Sequence, residues 1–392
     1  MLKISDLDQM AIKNSNNKAI LQLLYKNKKL TKQEISKFLN ISIPTVTHNI
    51  NALIEEGIVR EAGVADSTGG RKPVVIEFIP DARYAFGAEF SDKGLRLILT
   101  NLCSDIIEDC SFYLPEKNNI NAMMTTLKEE MENILRKRHI DKAKVLGIGF
   151  AVHGVVDEES LFVKLAPNIN LKDFSFKMYE NWFDFPIYME NESNAAALAE
   201  SILGVAKSFR NMVYVSIHRG VGCGIVIQDY VYKGKNRRAG EFGHMTVMVD
   251  GKECNCGKKG CWEMYASEKA LIDMRNKYAN GEVSSISEVF EEYQAGKPEA
   301  VKAVQEYINY LAIGLQNILL ILDPHYIILG GSISKYADLF INELNEKVFI
   351  PNSFYSENDT RIISSTLKEN APILGASLLP LQHIFFTNNK II

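Results

Sequence analysis

The chain has 392 residues, with 44 Lys and Arg against 48 Asp and Glu and a formal net charge of −4. That length exceeds what one hydrophobic core organises, so two or three compact units are expected, and mild acidity excludes a protein that holds nucleic acid by overall charge. Six cysteines, three of them close together, fit a reducing cytoplasm better than a disulfide framework, and the absence of an apolar run of about 18 residues or a charged-then-apolar leader argues against a membrane span or export.

Taken in chain order, residues 16–80 come first. Ala19, Ile20, Leu23 and Leu24 make a short apolar-periodic segment, followed by Thr31-Lys32-Gln33-Glu34 and by Ile35, Phe38 and Leu39. Thr31 with Glu34 three residues on is a capping box, so a helix begins there. Asn40-Ile41 is a tight exit, and Ser42 before Pro44 starts another helix over about 44–56. That helix buries Val46, Ile50, Leu53 and Ile54 and presents Thr45, Thr47, His48, Asn49 and Asn51 on its other face. Two short helices around a tight turn match a helix-turn-helix whose second helix enters the major groove.

Gly57 ends this helix, Ile58–Arg60 and Val74–Ile79 read as strands, and Ser67–Pro73 forms the tip of a wing between them. Arg71 and Lys72 at the tip can reach phosphates or a narrow minor groove. Lys13, Lys18, Lys26, Lys28, Lys29, Lys32, Lys37 and Arg60 add to a basic patch that the rest of the chain lacks. A three-helix protein-interaction module is the alternative; the basic tip and the small polar outer face favour DNA.

From Asp81 to the end, strands and helices alternate. Tyr84–Phe90 and Leu95–Leu102 form a hairpin, residues 121–137 an amphipathic helix, and Val145–Val152 a buried strand ending in His153-Gly154. A comparable opening recurs at Met212–His218 and Gly224–Asp229, which suggests two related lobes with a cleft between them. Tyr326–Leu329 before Gly330-Gly331 reads as a central strand, preceded by a mostly apolar core helix over about 300–322.

Residues 240–263 read GEFGHMTVMVDGKECNCGKKGCWE. His244, Cys254, Cys256 and Cys261 form a His-x9-Cys-x-Cys-x4-Cys run, a closed tetrahedral ligand set suited to structural Zn2+. Three unrelated thiols beside a stray His are the alternative, and spacing this compact argues against it. Glu241 and Glu263 flank the run, so a metal knot here positions two carboxylates.

This run, Gly240–His244, Glu190–Ala197 (ENESNAAA) and Leu329–Ser332 (LGGS) together resemble the ROK family of sugar kinases and sugar-responsive repressors over essentially the whole chain. The attached winged helix is similar to the repressor branch. The resemblance implies an α/β architecture: a winged helix-turn-helix over residues 1–80, then an actin-like ROK domain of two lobes, of the sugar kinase and heat-shock ATPase type, over 81–392. It implies zinc at the His-Cys set and sugar contacts at Gly154, Asn168, Asn191, Glu192, Glu241, His244 and Glu263. Carboxylates and amides suit a ring of hydroxyls, each both donor and acceptor. Glu192 taken alone reads equally well as a solvated surface acid.

The chain departs from the kinase pattern. Glu192 stands where the kinases carry the Asp base, and a misplacement of about 1 Å costs about 100-fold in rate. The first phosphate loop, Asp-x-Gly-x-Thr in kinases, reads Glu89-Phe90-Ser91-Asp92-Lys93, and the second reads His218-Arg219-Gly220. The expected function is a cytoplasmic repressor with operator DNA, a carbohydrate effector and a homodimer or dimer of dimers as partners, without enzymatic activity. An ATP-dependent sugar kinase with a DNA-binding appendix and a regulator gated by a protein partner are the competing readings.

Overall fold

Thr31 sets the first boundary. Its hydroxyl accepts from the Glu34 amide while the Glu34 carboxylate accepts from the Thr31 amide, so two otherwise unpaired donors are satisfied where the helix starts. The computed structural model describes residues 4–64, 73–91, 94–112, 119–166, 170–207, 209–279, 281–351 and 353–385. Its N-terminal module runs α1 (Ile4–Asn27), β1 (Lys29–Thr31), α2 (Lys32–Leu39), α3 (Ile43–Glu55), β2 (Val59–Val64) and β3 (Val74–Phe78). Ser42 caps α3 by accepting from the Thr45 amide, with Pro44 in the first turn. The strands form an antiparallel sheet in the order β1-β3-β2. Ile20, Leu24, Ile35, Val46 and Ile50 are fully buried, which gives the three helices one core. The helix-turn-helix and its flanking wing strands stand as expected. β1 is an addition, because three residues show no periodicity to read.

The next stretch contains β4 (Tyr84–Ser91), β5 (Gly94–Asn101), β6 (Ile106–Phe112), α4 (Ile120–Lys137), β7 (Val145–Val152), β8 (Val155–Asp157), β9 (Phe162–Ala166), β10 (Leu171–Ser175) and β11 (Ile187–Asn191). Five of these strands make a sheet in the order β11-β7-β4-β5-β6, antiparallel around the hairpin and parallel where β7 and β11 join. Phe90, Phe150 and Phe176 fill its core beside Met123, Leu127 and Met131 of α4. The final helix, α11 (Ala371–Phe385), crosses the sheet's opposite face. A Cβ on Gly149 would lie 2.0 Å from the Ala376 carbonyl oxygen, so only glycine admits that approach.

The second lobe contains α5 (Glu192–Ile202), β12 (Met212–Ile217), β13 (Val221–Ile227), β14 (Tyr230–Val231), α6 (Glu263–Ala266), α7 (Glu268–Tyr278), α8 (Ile286–Gln294), α9 (Pro298–Leu322), β15 (Tyr326–Gly331), α10 (Ile341–Val348) and β16 (Arg361–Ser364). Its sheet order, β14-β13-β12-β15-β16, repeats the first: a hairpin whose leading strand gains a parallel neighbour. The two related lobes inferred from spacing therefore share one topology. α9 buries Val304, Tyr307, Ile308, Leu311, Leu315 and Ile318, but Ile313, Leu320 and Ile321 are exposed. It is a core helix on one face only, because one side of a 3.6-residue repeat meets the lobe.

Contacts divide the chain into two compact units, residues 1–191 with 373–392, and residues 192–372. The winged module falls in the same unit as the first lobe. Among the described residues no helix is long and apolar enough to cross a membrane.

Candidate functional site

On α3, His48 and Asn51 are exposed and Thr45 and Thr47 half-buried. Asn49 is 2 % exposed and donates from Nδ2 to the Thr45 carbonyl at 2.7 Å. Its expected place on the outer face is therefore corrected: it lies three residues after Val46 and four before Leu53, on the buried stripe. Arg71 and Lys72 lie outside the described residues. Part of the expected basic patch is neutralised locally, since Glu77 takes Lys29 at 2.7 Å and Arg60 at 2.8 Å, and Lys32 meets Glu61 at 3.4 Å. The hydrogen bonds from Lys29 and Arg60 hold the Glu77 carboxyl below the usual carboxylate range.

The second lobe builds the Cys-His site from a tight loop. The Cys254 amide donates to Lys258 O at 2.8 Å and the Gly257 amide to Cys254 O at 3.0 Å, a knuckle that turns both flanking sulfurs to one side. Isolated bridges pair Thr246 with Cys261 and Glu253 with Lys259. Nδ1 of His244 lies 3.6 Å from the Cys254 sulfur, and the Cys256 and Cys261 sulfurs are 3.6 Å apart. All four ligand atoms fall within 4.8 Å of one another. Tetrahedral bonds of about 2.3 Å to sulfur and about 2.0 Å to nitrogen place ligand atoms roughly 3.5–3.8 Å apart, so the donor set fits a metal of this kind. Beneath the loop, Trp262 is fully buried and its Nε1 donates to Tyr310 O at 2.9 Å, anchoring Cys261 to α9.

Two carboxylates border this knot. Glu263 opens α6 and places Oε1 3.4 Å from His244 Nδ1 and 3.0 Å from the Cys254 sulfur. Glu241 follows Gly240, whose φ of 91° and close approach to Cys223 O leave no room for a side chain. Its Oε2 lies 3.8 Å from His244 Nε2. His244 thus directs one ring nitrogen to the cysteines and the other to an acid half open to solvent.

Glu192 is not a surface acid. It is 4 % exposed, and its two oxygens accept from Ser193 Oγ at 2.9 Å and Ser216 Oγ at 2.8 Å, with His218 Nε2 4.0 Å away. Sequence reasoning did not single out Ser193 or Ser216. The available signal was Ser216, the one serine in a strand that is otherwise aliphatic or aromatic, Met212–Ile217. His218 and Gly220 close the β12–β13 turn, and a Cβ on Gly220 would touch the Glu263 carboxylate at 3.1 Å, so Glu192, the turn and Glu263 are neighbours on one lobe.

In the first unit, Asn191 Nδ2 donates to Gly154 O at 2.8 Å, which brings those two candidates together at the ends of β11 and β7. Asn168 lies outside the described residues. Glu89, at the altered phosphate loop, meets His153 Nε2 at 3.3 Å, and Ser91 is the last residue of β4, paired with Gly94. Arg219 is exposed in the second turn, while Asp92 and Lys93 lie outside the described residues.

A winged helix-turn-helix joined to two lobes of repeated topology, one carrying a Cys-His knot with flanking acids, defines a DNA-binding regulator built on a sugar-kinase-type fold. The sequence matches the ROK family over residues 93–383 and a winged helix-turn-helix DNA-binding family over residues 13–60. The chain belongs to the ROK family. It is 32% identical over 379 residues to the xylose repressor of Bacillus spizizenii, covering 96% of this chain and 97% of that protein. It is also 26% identical over 279 residues to a glucokinase of Halalkalibacterium halodurans, covering 67% of this chain and 84% of that one. Among solved structures, a ROK family transcriptional regulator described as a homologue of the E. coli MLC protein superposes with a TM-score of 0.80 at 23% identity, covering 95% of this chain and 97% of that one. A ROK glucokinase from Streptomyces griseus, in complex with glucose and AMPPNP, gives 0.65 at 24% identity and covers 76% of this chain and 99% of that one.

Proposed function

We propose that this chain is a sugar-responsive transcriptional repressor that binds operator DNA through α3 and its wing and reads a carbohydrate through the acids around the Cys-His knot. One observation carries the reading: His244 turns Nδ1 into the cysteines and leaves Nε2 beside Glu241, so a structural element holds a donor and an acceptor ready for hydroxyls. Zinc bound by His244, Cys254, Cys256 and Cys261 would supply rigidity to that ring and its turn. Glu241, Glu263 and Glu192 on one lobe, with Gly154, Asn168 and Asn191 on the other unit, are the proposed sugar contacts. Thr45, Thr47, His48, Asn51, Arg71 and Lys72 are the proposed DNA contacts. The relatives named xylose repressors make D-xylose the first effector to try.

The sugar acts by differential binding: it favours one arrangement of the chain, DNA favours another, and each shifts the other's equilibrium. A homodimer in the cytoplasm suits a two-fold operator. Kinase activity is not part of the proposal. Both Glu192 oxygens already accept from serines, and the loops at Ser91 and Arg219 lack the kinase pattern. Calorimetric titration with D-xylose, D-glucose and N-acetylglucosamine, run beside an ATP-coupled phosphorylation assay of the same sugars, tests both parts. Binding without turnover is expected. Turnover near 1 per second, in the ordinary enzyme range, would reverse the conclusion in favour of a kinase. An absence of both binding and turnover would favour a regulator gated by a protein partner.

A further inference from the structure

Tyr25, in the last turns of α1, belongs to the winged module, yet its hydroxyl is hydrogen-bonded to Ser104 Oγ in the β5–β6 turn of the first lobe. Both residues are buried, at 6 % and 8 % exposure. The turn that offers Ser104 is held rigid. Asn101 Oδ1 accepts from the Cys103 amide at 2.9 Å and the Asp105 amide at 3.0 Å, and Ser104 itself sits at a φ of 64°, a conformation that non-glycine residues adopt only when their surroundings impose it. On the other side, the Tyr25 ring packs edge-on against Phe78 of the wing sheet at 6.3 Å, and the Lys28 ammonium lies 5.3 Å above its face.

The covalent connection has no slack either. The Ile79 amide donates to Ile58 O of the winged module at 2.9 Å, and the Leu102 amide of the lobe donates to Pro80 O at 2.9 Å. A linker stitched on both sides within two residues does not behave as a flexible tether. Tyr25 also lines an open surface cleft bordered by Arg60 and Cys103. The hydroxyl contact is the directional element of the joint.

We infer that Tyr25 and Ser104 are the positioning pair that makes the winged module and the first-lobe sheet move as one body, so that a sugar-driven change in the lobe reaches α3 through this hydrogen bond. The inference rests on the repressor reading above and adds the route by which the two functions are coupled. Buried hydroxyl pairs suit such a task because their geometry is directional where apolar packing is not.

The test uses the full chain, zinc-loaded, with a duplex recovered from random DNA by selection on the wild-type protein, and D-xylose as the probe. Wild type is expected to change its DNA affinity by tenfold or more on adding xylose, within the usual range of allosteric coupling. Tyr25→Phe and Ser104→Ala should each keep DNA affinity without sugar and calorimetric xylose affinity within about threefold of wild type. In both, the effect of xylose on DNA affinity should fall below threefold. An undiminished xylose effect in both variants would overturn the proposal. So would a loss of sugar-free DNA binding in both, which would mark the pair as merely structural. If wild type ignores xylose, the effector reading fails separately, and amide hydrogen exchange of the full chain then decides the joint. Exchange at Lys28 and Leu102 at least tenfold faster in Tyr25→Phe sustains the single-body joint; unchanged exchange refutes it.

Discussion

Nδ1 of His244 lies 3.6 Å from the sulfur of Cys254, while Nε2 of the same ring lies 3.8 Å from Glu241. One imidazole thus belongs to two structures, a metal-type knot and a polar wall. Removing the knot should disorder the wall. Cys256→Ser, which deletes the exposed ligand and leaves the buried ones, should lower zinc content measured by elemental analysis from about one per chain and weaken sugar binding. Full zinc occupancy with unchanged stability in this variant would contradict the assignment.

Loss of a charge-assisted hydrogen bond from a carboxylate costs about 1.5–3 kcal/mol. Glu241→Ala and Glu263→Ala should therefore each weaken sugar binding by about 10- to 150-fold in calorimetry. Zinc content separates the two: Glu241→Ala should keep its metal, whereas Glu263 touches Cys254 and its loss should also lower zinc affinity.

The inward turn of Asn49 makes a prediction that sequence alone reverses. His48→Ala and Asn51→Ala should each relax discrimination among operator variants, by about 1–3 kcal/mol for each base-edge pair lost. Asn49→Ala should alter thermal stability with little change in operator preference. A changed preference with unchanged stability would show that Asn49 faces DNA after all.

Gly314 sits in the middle of α9, where alanine is ordinarily better by about 1 kcal/mol. Here a Cβ would lie 1.9 Å from the Trp262 ring. Gly314→Ala should therefore destabilise the second lobe by about 1–3 kcal/mol, and because Trp262 adjoins Cys261 it should also loosen the metal loop. Thermal melting with and without a chelator measures both effects. A raised melting temperature would show that the ring yields freely.

Glu200 is fully buried on α5 and accepts from Ser365 Oγ, from the Val205 amide at 3.2 Å and from the Leu367 amide at 3.4 Å. Burial pushes its carboxyl above the ordinary value despite these bonds. The unfolded chain therefore releases this proton at lower pH than the folded one. The Glu200 contribution to stability is most favourable below the unfolded value and declines as pH rises through the folded value. Glu200→Gln removes this titration, so its stability deficit relative to wild type should shrink as pH rises above the ordinary carboxylate value. A deficit independent of pH would contradict the raised value.

Much of this protein is encoded locally. The Thr31–Glu34 box, the Ser42 cap with Pro44, the strand Val145–Val152 and the ligand run from His244 to Cys261 each depend on side chains a few residues apart, so spacing along the chain expresses the physics directly. The tertiary structure decided what lies between distant segments. Ser216 reaches Glu192 across 24 residues and turns an apparent surface acid into a buried, fully engaged one. Tyr25 finds Ser104 across 79 residues, a pairing that no periodicity announces. Asn49 departs from the outer face that its polarity suggests, because helical geometry puts it on the stripe of Val46, Ile50 and Leu53. A hydrogen bond between remote residues depends on how whole elements pack, and that is settled by burying their apolar faces together, after which each polar group is left with whichever partner the packing provides.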